Sequence, residues 1–188
     1  MAPTCSPCSA ERPPNQRFGN NPRVEFRLEH TFDAPIDAVE SAMVDPVFLE
    51  GTRLPDVGPP TVLSREERGD TVTLRVNYHY TGSLDSLARR VLRADDVAWV
   101  QETALDRRTH RTTFTVTPQV HAERFECGGV MRLTQTGDVT ERVIDGELKI
   151  KVPLFGRRAE GMILPGLRSR MNREAELLDE WLKGHRAG

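Results

Sequence analysis

The stretch Arg23-Val24-Glu25-Phe26-Arg27-Leu28-Glu29-His30-Thr31-Phe32-Asp33-Ala34-Pro35-Ile36-Asp37-Ala38-Val39 decides the fold. Its first part alternates strictly. Val24, Phe26, Leu28 and Phe32 fall on one face of a strand, and Arg23, Glu25, Arg27, Glu29 and Thr31 on the other. A helix follows at once: Pro35 suits the first helical position, and the acidic residues beside it favour the positive end of the helix dipole. Ile36, Val39 and Met43 recur at helical spacing, and Asp45-Pro46 stops that helix and starts another short one.

Working outward, residues 53–60 are a loop by composition. Val62 to Arg68 and Thr71 to Tyr80 read as strands joined by a Gly69-Asp70 turn, with Val72, Leu74, Val76, Tyr78 and Tyr80 sharing a face. Residues 82–94 permit either a turn or two of helix or a covering loop. Strands follow over Val97 to Leu105, Thr112 to Thr117, Arg124 to Gln135 and Val139 to Val152. Gly128-Gly129 predicts a bulge or sharp bend, and Gly146 a second bend, so the sheet is expected to curve strongly. Leu154 to Lys183 is helical, with Ile163, Leu164, Leu167, Met171, Leu178, Trp181 and Leu182 at three- and four-residue spacing. Pro165 is expected to kink or break that rod, and Gly184 to end it. The class is α+β: a curved antiparallel sheet of about seven strands around a long C-terminal helix, with two short helices after the first strand.

The 188 residues suit one domain, expected over 23–183, between a disordered leader at 1–22 and a tail at 184–188. A net charge of −2 gives no general attraction to nucleic acid. Arginine clusters such as Arg89, Arg90 and Arg93, or Arg168, Arg170 and Arg173, are expected to be solvated faces. No apolar run approaches the ~20 residues of a membrane span, and the first residues lack the pattern of a secretion signal. Stable membrane insertion is therefore not expected, and a cytoplasmic location is. Cys5 and Cys8 form a C-x-x-C without a second pair at zinc-ribbon spacing, so no metal site is expected there; Cys127 reads as a small core residue.

The order of elements resembles the helix-grip fold, the SRPBCC superfamily of START domains, Bet v 1 allergens and polyketide cyclase-like proteins. The segment Phe32 to Val39, with Asp45-Pro46 after it, is similar to the opening motif of many bacterial members. Together with Ser83-Leu84-Asp85-Ser86-Leu87-Ala88-Arg89-Arg90 before the Trp99 strand, it resembles an actinobacterial family of unknown function, the DUF2505 type, over residues 24–183. The resemblance implies a deep, mostly apolar cavity between the sheet and the last helix. Independently, a curved sheet closes poorly against a helix interrupted by Gly161, Pro165 and Gly166.

His30 breaks the apolar face of the first strand, and Tyr78 and Tyr80 share the apolar face of theirs, so these three side chains are expected to point polar tips at a ligand. Trp99 is placed on the inward face with Gln101 and Thr103, and Arg142 lies in register with Ile144, near enough to the strand's start to snorkel outward. The remaining lining is expected from Phe114, Phe125, Met131, Ile144, Met162, Ile163 and Leu167. His79 and His110 should face solvent. No nucleophile elbow, P-loop, zinc-helix or dinucleotide motif occurs, so neither catalytic residues nor a cofactor are assigned. The leading expectation is binding or carriage of a hydrophobic small molecule, such as a fatty acyl, isoprenoid, quinone or polyketide-like compound. A cyclase/dehydratase-type or hydrolytic enzyme using His30 or a tyrosine is the alternative, and a protein-binding adaptor with a vestigial pocket the third.

Overall fold

A computed structural model describes residues 23–83, 97–152 and 156–185. The elements follow in the order β1 (Val24–Phe32), α1 (Ile36–Met43), α2 (Pro46–Gly51), β2 (Thr61–Arg68), β3 (Thr71–His79), β4 (Ala98–Asp106), β5 (Arg111–Pro118), β6 (Phe125–Thr136), β7 (Val139–Ile150) and α3 (Gly156–His185). The seven strands form one antiparallel sheet in the order β1-β7-β6-β5-β4-β3-β2. Every neighbour is sequential except the first, because β1 returns beside β7 with Val24 opposite Leu148 and Phe32 opposite Thr140. This is the helix-grip architecture, with α3 as the gripped rod. The stretch at 82–94 lies almost entirely outside the described residues, as do the leader at 1–22 and the last three residues of the tail.

Local chemistry sets the boundaries. Pro35 sits one position earlier than expected: its backbone is extended, and its carbonyl accepts the first helical bonds, from Ala38 N at 3.1 Å and Val39 N at 3.2 Å. Asp45 caps α2, accepting from the backbone of Val47 at 2.7 Å and Phe48 at 3.4 Å, with Pro46 in the first turn. Gly69 and Gly137 adopt the positive φ that their tight hairpin turns require.

The paired glycines do something other than bulge. Pairing of β6 with β7 is unbroken from Phe125 opposite Ile150 to Thr136 opposite Val139, and the irregularity in the sheet lies instead between Val62 and Ser64 of β2. Phe26, Gly146, Gly129 and Phe114 stand opposite one another across β1, β7, β6 and β5. A side chain on Gly146 would overlap the Phe26 ring, and one on Gly129 would strike backbone and the Phe114 ring. The glycines thus let two aromatic rings from neighbouring strands lie down on the sheet's inner face.

Helix α3 is unbroken through Pro165 and passes Gly184 to end at His185. Pro165 and Gly161 are both exposed, so water reaches the carbonyl that loses its helical donor. At the far end, His185 Nδ1 donates to the Trp181 carbonyl at 2.8 Å and its ring stacks on the indole, which carries the last turn past the glycine. The main core joins Val39 of α1, Phe48 of α2 and Ala175, Leu178 and Leu182 of α3 to Leu74, Val76 and Leu133 of the sheet. A smaller cluster of Phe26, Phe114, Met131, Ile144 and Met171 fills the space under the middle of α3.

Candidate functional site

On β7, alternation points Thr140, Arg142, Ile144, Leu148 and Ile150 inward, and each of them is buried. Arg142 is only 1 % exposed, so it does not snorkel outward as expected. The reason is its neighbours: the guanidinium lies 5.1 Å over the Phe32 ring, and its Nη2 and Nε lie 3.3 and 3.4 Å from His30 Nδ1, on the strand paired with β7. A guanidinium only donates, so His30 Nδ1 is the acceptor and the His30 proton sits on Nε2, which donates to Asn172 Oδ1 of α3 at 3.0 Å. Burial and the Arg142 charge hold the His30 pKa below its ordinary value, which keeps the ring neutral. Among the described residues no carboxylate forms an ion pair with Arg142. Burial lowers its pKa, and only the more distant charge of Glu174 on α3 opposes that.

A second arginine enters the same interior from the helix. Arg170 is 6 % exposed; its Nη2 donates to Gln101 Oε1 of β4 at 2.9 Å, and the guanidinium lies 5.0 Å over Tyr78 and 5.9 Å over Trp99. Those two rings, directly paired across β3 and β4, stack with centroids 5.5 Å apart. Nη1 of Arg170 is 3.8 Å from Glu174 Oε2, too far for a hydrogen bond, and makes no hydrogen bond among the described residues. Burial pushes the Tyr78 hydroxyl up to about 12, so it stays a neutral phenol. Glu174 is the carboxylate whose field reaches Arg142, His30, Arg170 and Tyr78 alike, with Arg170 at ion-pair distance.

Of the residues expected at the site, the structure brings His30 to Arg142 and Tyr78 to Trp99, and it buries Phe114, Met131 and Ile144 in the cluster beneath α3. Leu167 is half-buried at that cluster's edge, and Phe125 is half-buried against a neighbouring one of Cys127, Leu148 and Ile150. Tyr80 stands apart from Tyr78. It lies beyond the end of β3 in a single bridge to Val57, and its hydroxyl donates to the Ser83 carbonyl at 3.4 Å. Met162 and Ile163 are 46 % and 41 % exposed, on the solvent side of α3 rather than the lining, because the inward positions of that turn are taken by Glu160, Leu164 and Leu167. His110 departs from the solvent-facing expectation as well, its Nδ1 lying 2.9 Å from the buried Glu40 carboxylate of α1.

Arg170 and Glu174 are the residues that sequence reading misplaced or passed over. Their signal was present: Leu167, Arg170, Met171, Glu174, Ala175 and Leu178 step at three- and one-residue intervals along a single helix face. A further recess, of about 860 Å³ and wide open, lies over Gly128, Gly129 and Gly146, lined by Phe26 and Phe114, by Arg168 of α3 and by outward groups such as Arg27 and Asp145, which pair at 2.9 Å. It holds none of the buried polar groups, so the interior, not this hollow, is the candidate site. Among the described residues no three His, Cys, Asp or Glu side chains are grouped as a metal site, and no helix is long and apolar enough to cross a membrane.

Solved structures share the fold. TTHA0849 from Thermus thermophilus superimposes with a TM-score of 0.63 at 20 % identity, over 87 % of this chain and 100 % of that one. The Zhui aromatase/cyclase from Streptomyces sp. R1128 follows at 0.62 and 14 % identity, over 88 % and 98 %. Ara h 8.0201 matches at 0.58 and 12 %, over 87 % and 100 %. At these identities the likeness is one of fold. No curated protein matches the sequence. A family model does match, over residues 27–182, the whole span from β1 to the last turns of α3: the chain belongs to the family described as "Protein of unknown function (DUF2505)".

Proposed function

We propose that the protein binds a hydrophobic small molecule between the inner face of the sheet and α3, with the apolar body under the first half of the helix and a polar head among the side chains beside Arg170. The observation that carries this reading is Arg170 itself. A buried guanidinium with one nitrogen unpartnered leaves a donor that a ligand's acceptor satisfies. It lies on the Tyr78–Trp99 stack, a flat apolar wall beside that donor. The apolar body would lie against the inward residues that are only partly buried, namely Leu28, Val116, Phe125, Leu164 and Leu167. Removing a ligand's apolar surface from water there supplies ~25 cal/mol per Å². That one protein of the same fold, Zhui, is an aromatase/cyclase supports a small molecule as the ligand.

Trp99 is a built-in reporter. In Trp181→Phe protein, Trp99 is the remaining tryptophan, and titration with long-chain acyl, isoprenoid, quinone and polycyclic aromatic compounds should change its fluorescence saturably for at least one class. Native mass spectrometry of protein purified from its own host should show the same class co-purifying. A flat response to every class, with nothing co-purifying, overturns the proposal. The enzyme reading has one observation in its favour: a neutral imidazole and a buried guanidinium lie side by side, a base and an oxyanion-stabilising cation once Arg142 turns from His30 Nδ1 to a substrate. Conversion of a bound compound, lost in His30→Gln while binding persists, is the result that selects it.

A further inference from the structure

We infer that the head group of the ligand is a carboxylate, received between Arg142 and Arg170 in competition with Glu174. The inference rests on the binding reading above and deepens it by naming the chemistry of the head. Its basis is the charge count of this one cluster. Arg142 and Arg170 bring two permanent positive charges, Glu174 brings one negative charge, and His30 is neutral. The other buried carboxylates are engaged elsewhere, Glu40 with His110 and Glu160 with the Ile150 amide, so the cluster lacks one negative charge. Buried charges are normally paired, because each unpaired ion loses its hydration without recovering it elsewhere.

Geometry gives the same answer independently of the charge count. Arg170 Nη1 is buried and without a hydrogen bond, and Glu174 Oε2 stops 3.8 Å short of it. Among the described residues Arg142 makes two long hydrogen bonds, both to one imidazole nitrogen, so its donors are poorly used for a buried guanidinium. Neither arginine is in bidentate contact with a carboxylate, the partner its planar fork fits best. Glu174 is within ion-pair distance of Arg170 alone and reaches Arg142 only through its field. An incoming carboxylate supplies the missing charge and takes up the unused donors, while Glu174, the least buried of the three, swings toward the solvent it already touches. A cationic head meets two arginines and is repelled. A neutral alcohol gains a hydrogen bond and leaves the charge deficit in place.

The test uses matched probes on the full chain: dodecanoate, dodecanol and dodecylamine, and the corresponding naphthalene acid, carbinol and amine, each titrated by Trp99 fluorescence and by thermal shift. The acid of at least one set should bind about tenfold or more tighter than its alcohol, the scale of one charge-assisted hydrogen bond, and the amine should be weakest. Glu174→Gln removes the competitor. It should lower the melting temperature of the free protein, because two buried arginines lose their shared counter-charge, and strengthen acid binding by about tenfold with the alcohol unchanged. Arg142→Gln should erase the preference for acid over alcohol. Should Arg142→Gln fail to fold, the Glu174→Gln comparison decides alone. Alcohols that bind as well as acids, amines that bind best, or Glu174→Gln leaving acid affinity unchanged overturn the carboxylate assignment and leave the ligand-binding reading standing. If no member of either set binds, both fall.

Discussion

The two halves of α3 belong to one continuous helix and face one sheet, yet they are held very differently. From Met171 onward the inward residues are closed in: Met171, Ala175, Leu178 and Leu182 are buried, and α1 and α2 pack against the same turns. Before Arg170 the inward Leu164 and Leu167 are only half-buried, Met162 and Ile163 are exposed, and Gly161, Pro165 and Gly166 stand within six residues of chain. The polar cluster of Arg170, Asn172 and Glu174 lies where one regime gives way to the other. The start of the helix is tied down by Glu160, which is fully buried and accepts from the Ile150 amide at 2.8 Å, so the loosely covered stretch is 161–169. Such a stretch suits uptake of a molecule beneath it, since moving elements come from the low-stability part of a structure.

The sharpest way to break this comparison is to delete one leucine from each half. Leu178→Ala should cost about 3–5 kcal/mol, the range for a fully enclosed side chain, whereas Leu164→Ala should cost less than about 2 kcal/mol. Equal losses in denaturant titrations would show that both halves are held alike. Trp181 refines the picture within the anchored half. The sequence pattern makes it a core residue, but its ring is only partly buried, against Phe48 at 5.6 Å and His185 at 3.9 Å. Trp181→Ala should therefore cost about 2 kcal/mol rather than the ~3–5 kcal/mol of an enclosed tryptophan.

Strengthening the weak half is the converse test. A Cβ added at Gly161 or Gly166 meets nothing within 4 Å, so each Gly→Ala change should stabilise the helix by about 1 kcal/mol. Amides of 161–169 should exchange hydrogen faster than those of 171–182, and Gly161→Ala should narrow the gap and slow ligand uptake more than it alters affinity. Exchange that is uniform along α3 would remove the distinction. The smallest expected effect concerns His30, which ties the middle of α3 to β1 through Asn172. Its pKa is lowered in the folded protein, chiefly by burial and then by Arg142, so the folded state takes up the proton less readily than the unfolded chain. The stability this gives is present above the ordinary histidine value of about 6.5 and is lost as pH falls toward the lowered value. Glu40 acts with opposite sign and nearer the carboxylate range, because burial raises its pKa and acid relieves the cost of its charge. Melting temperature should therefore fall more in wild-type protein than in His30→Gln between about pH 7.5 and pH 5.5; parallel curves would show that His30 carries no such linkage.

Much of this was legible in the chain. Alternation along β1, β3 and β7 named the inward residues, Arg142 and His30 among them, and Asp45-Pro46 marked the break between the two short helices. The glycine pair was noticed but misread, since a Gly-Gly dipeptide looks the same whether it bulges or makes room for a ring from the next strand. Met162 and Ile163 were assigned inward because apolar side chains usually are, yet helix phase, set by Leu164, Leu167 and Met171, turns them out. Arg168, Arg170 and Arg173 read as one solvated cluster; Arg168 does stay exposed while Arg170 is buried.

Period alone determined which residues lie on which face, because side-chain direction follows from backbone geometry within a single strand or helix. What the opposite face contributes is a non-local matter. Arg170 finds Gln101 and Tyr78 from β4 and β3, Arg142 finds His30 and Phe32 from the other end of the sheet, and Glu174 is left to serve both. An arginine on an inward helix position snorkels to water or stays buried according to the partners across the gap. Only the packing of α3 on the curved sheet, which joins segments far apart in the chain, supplied those partners and left Arg170 Nη1 without a hydrogen bond.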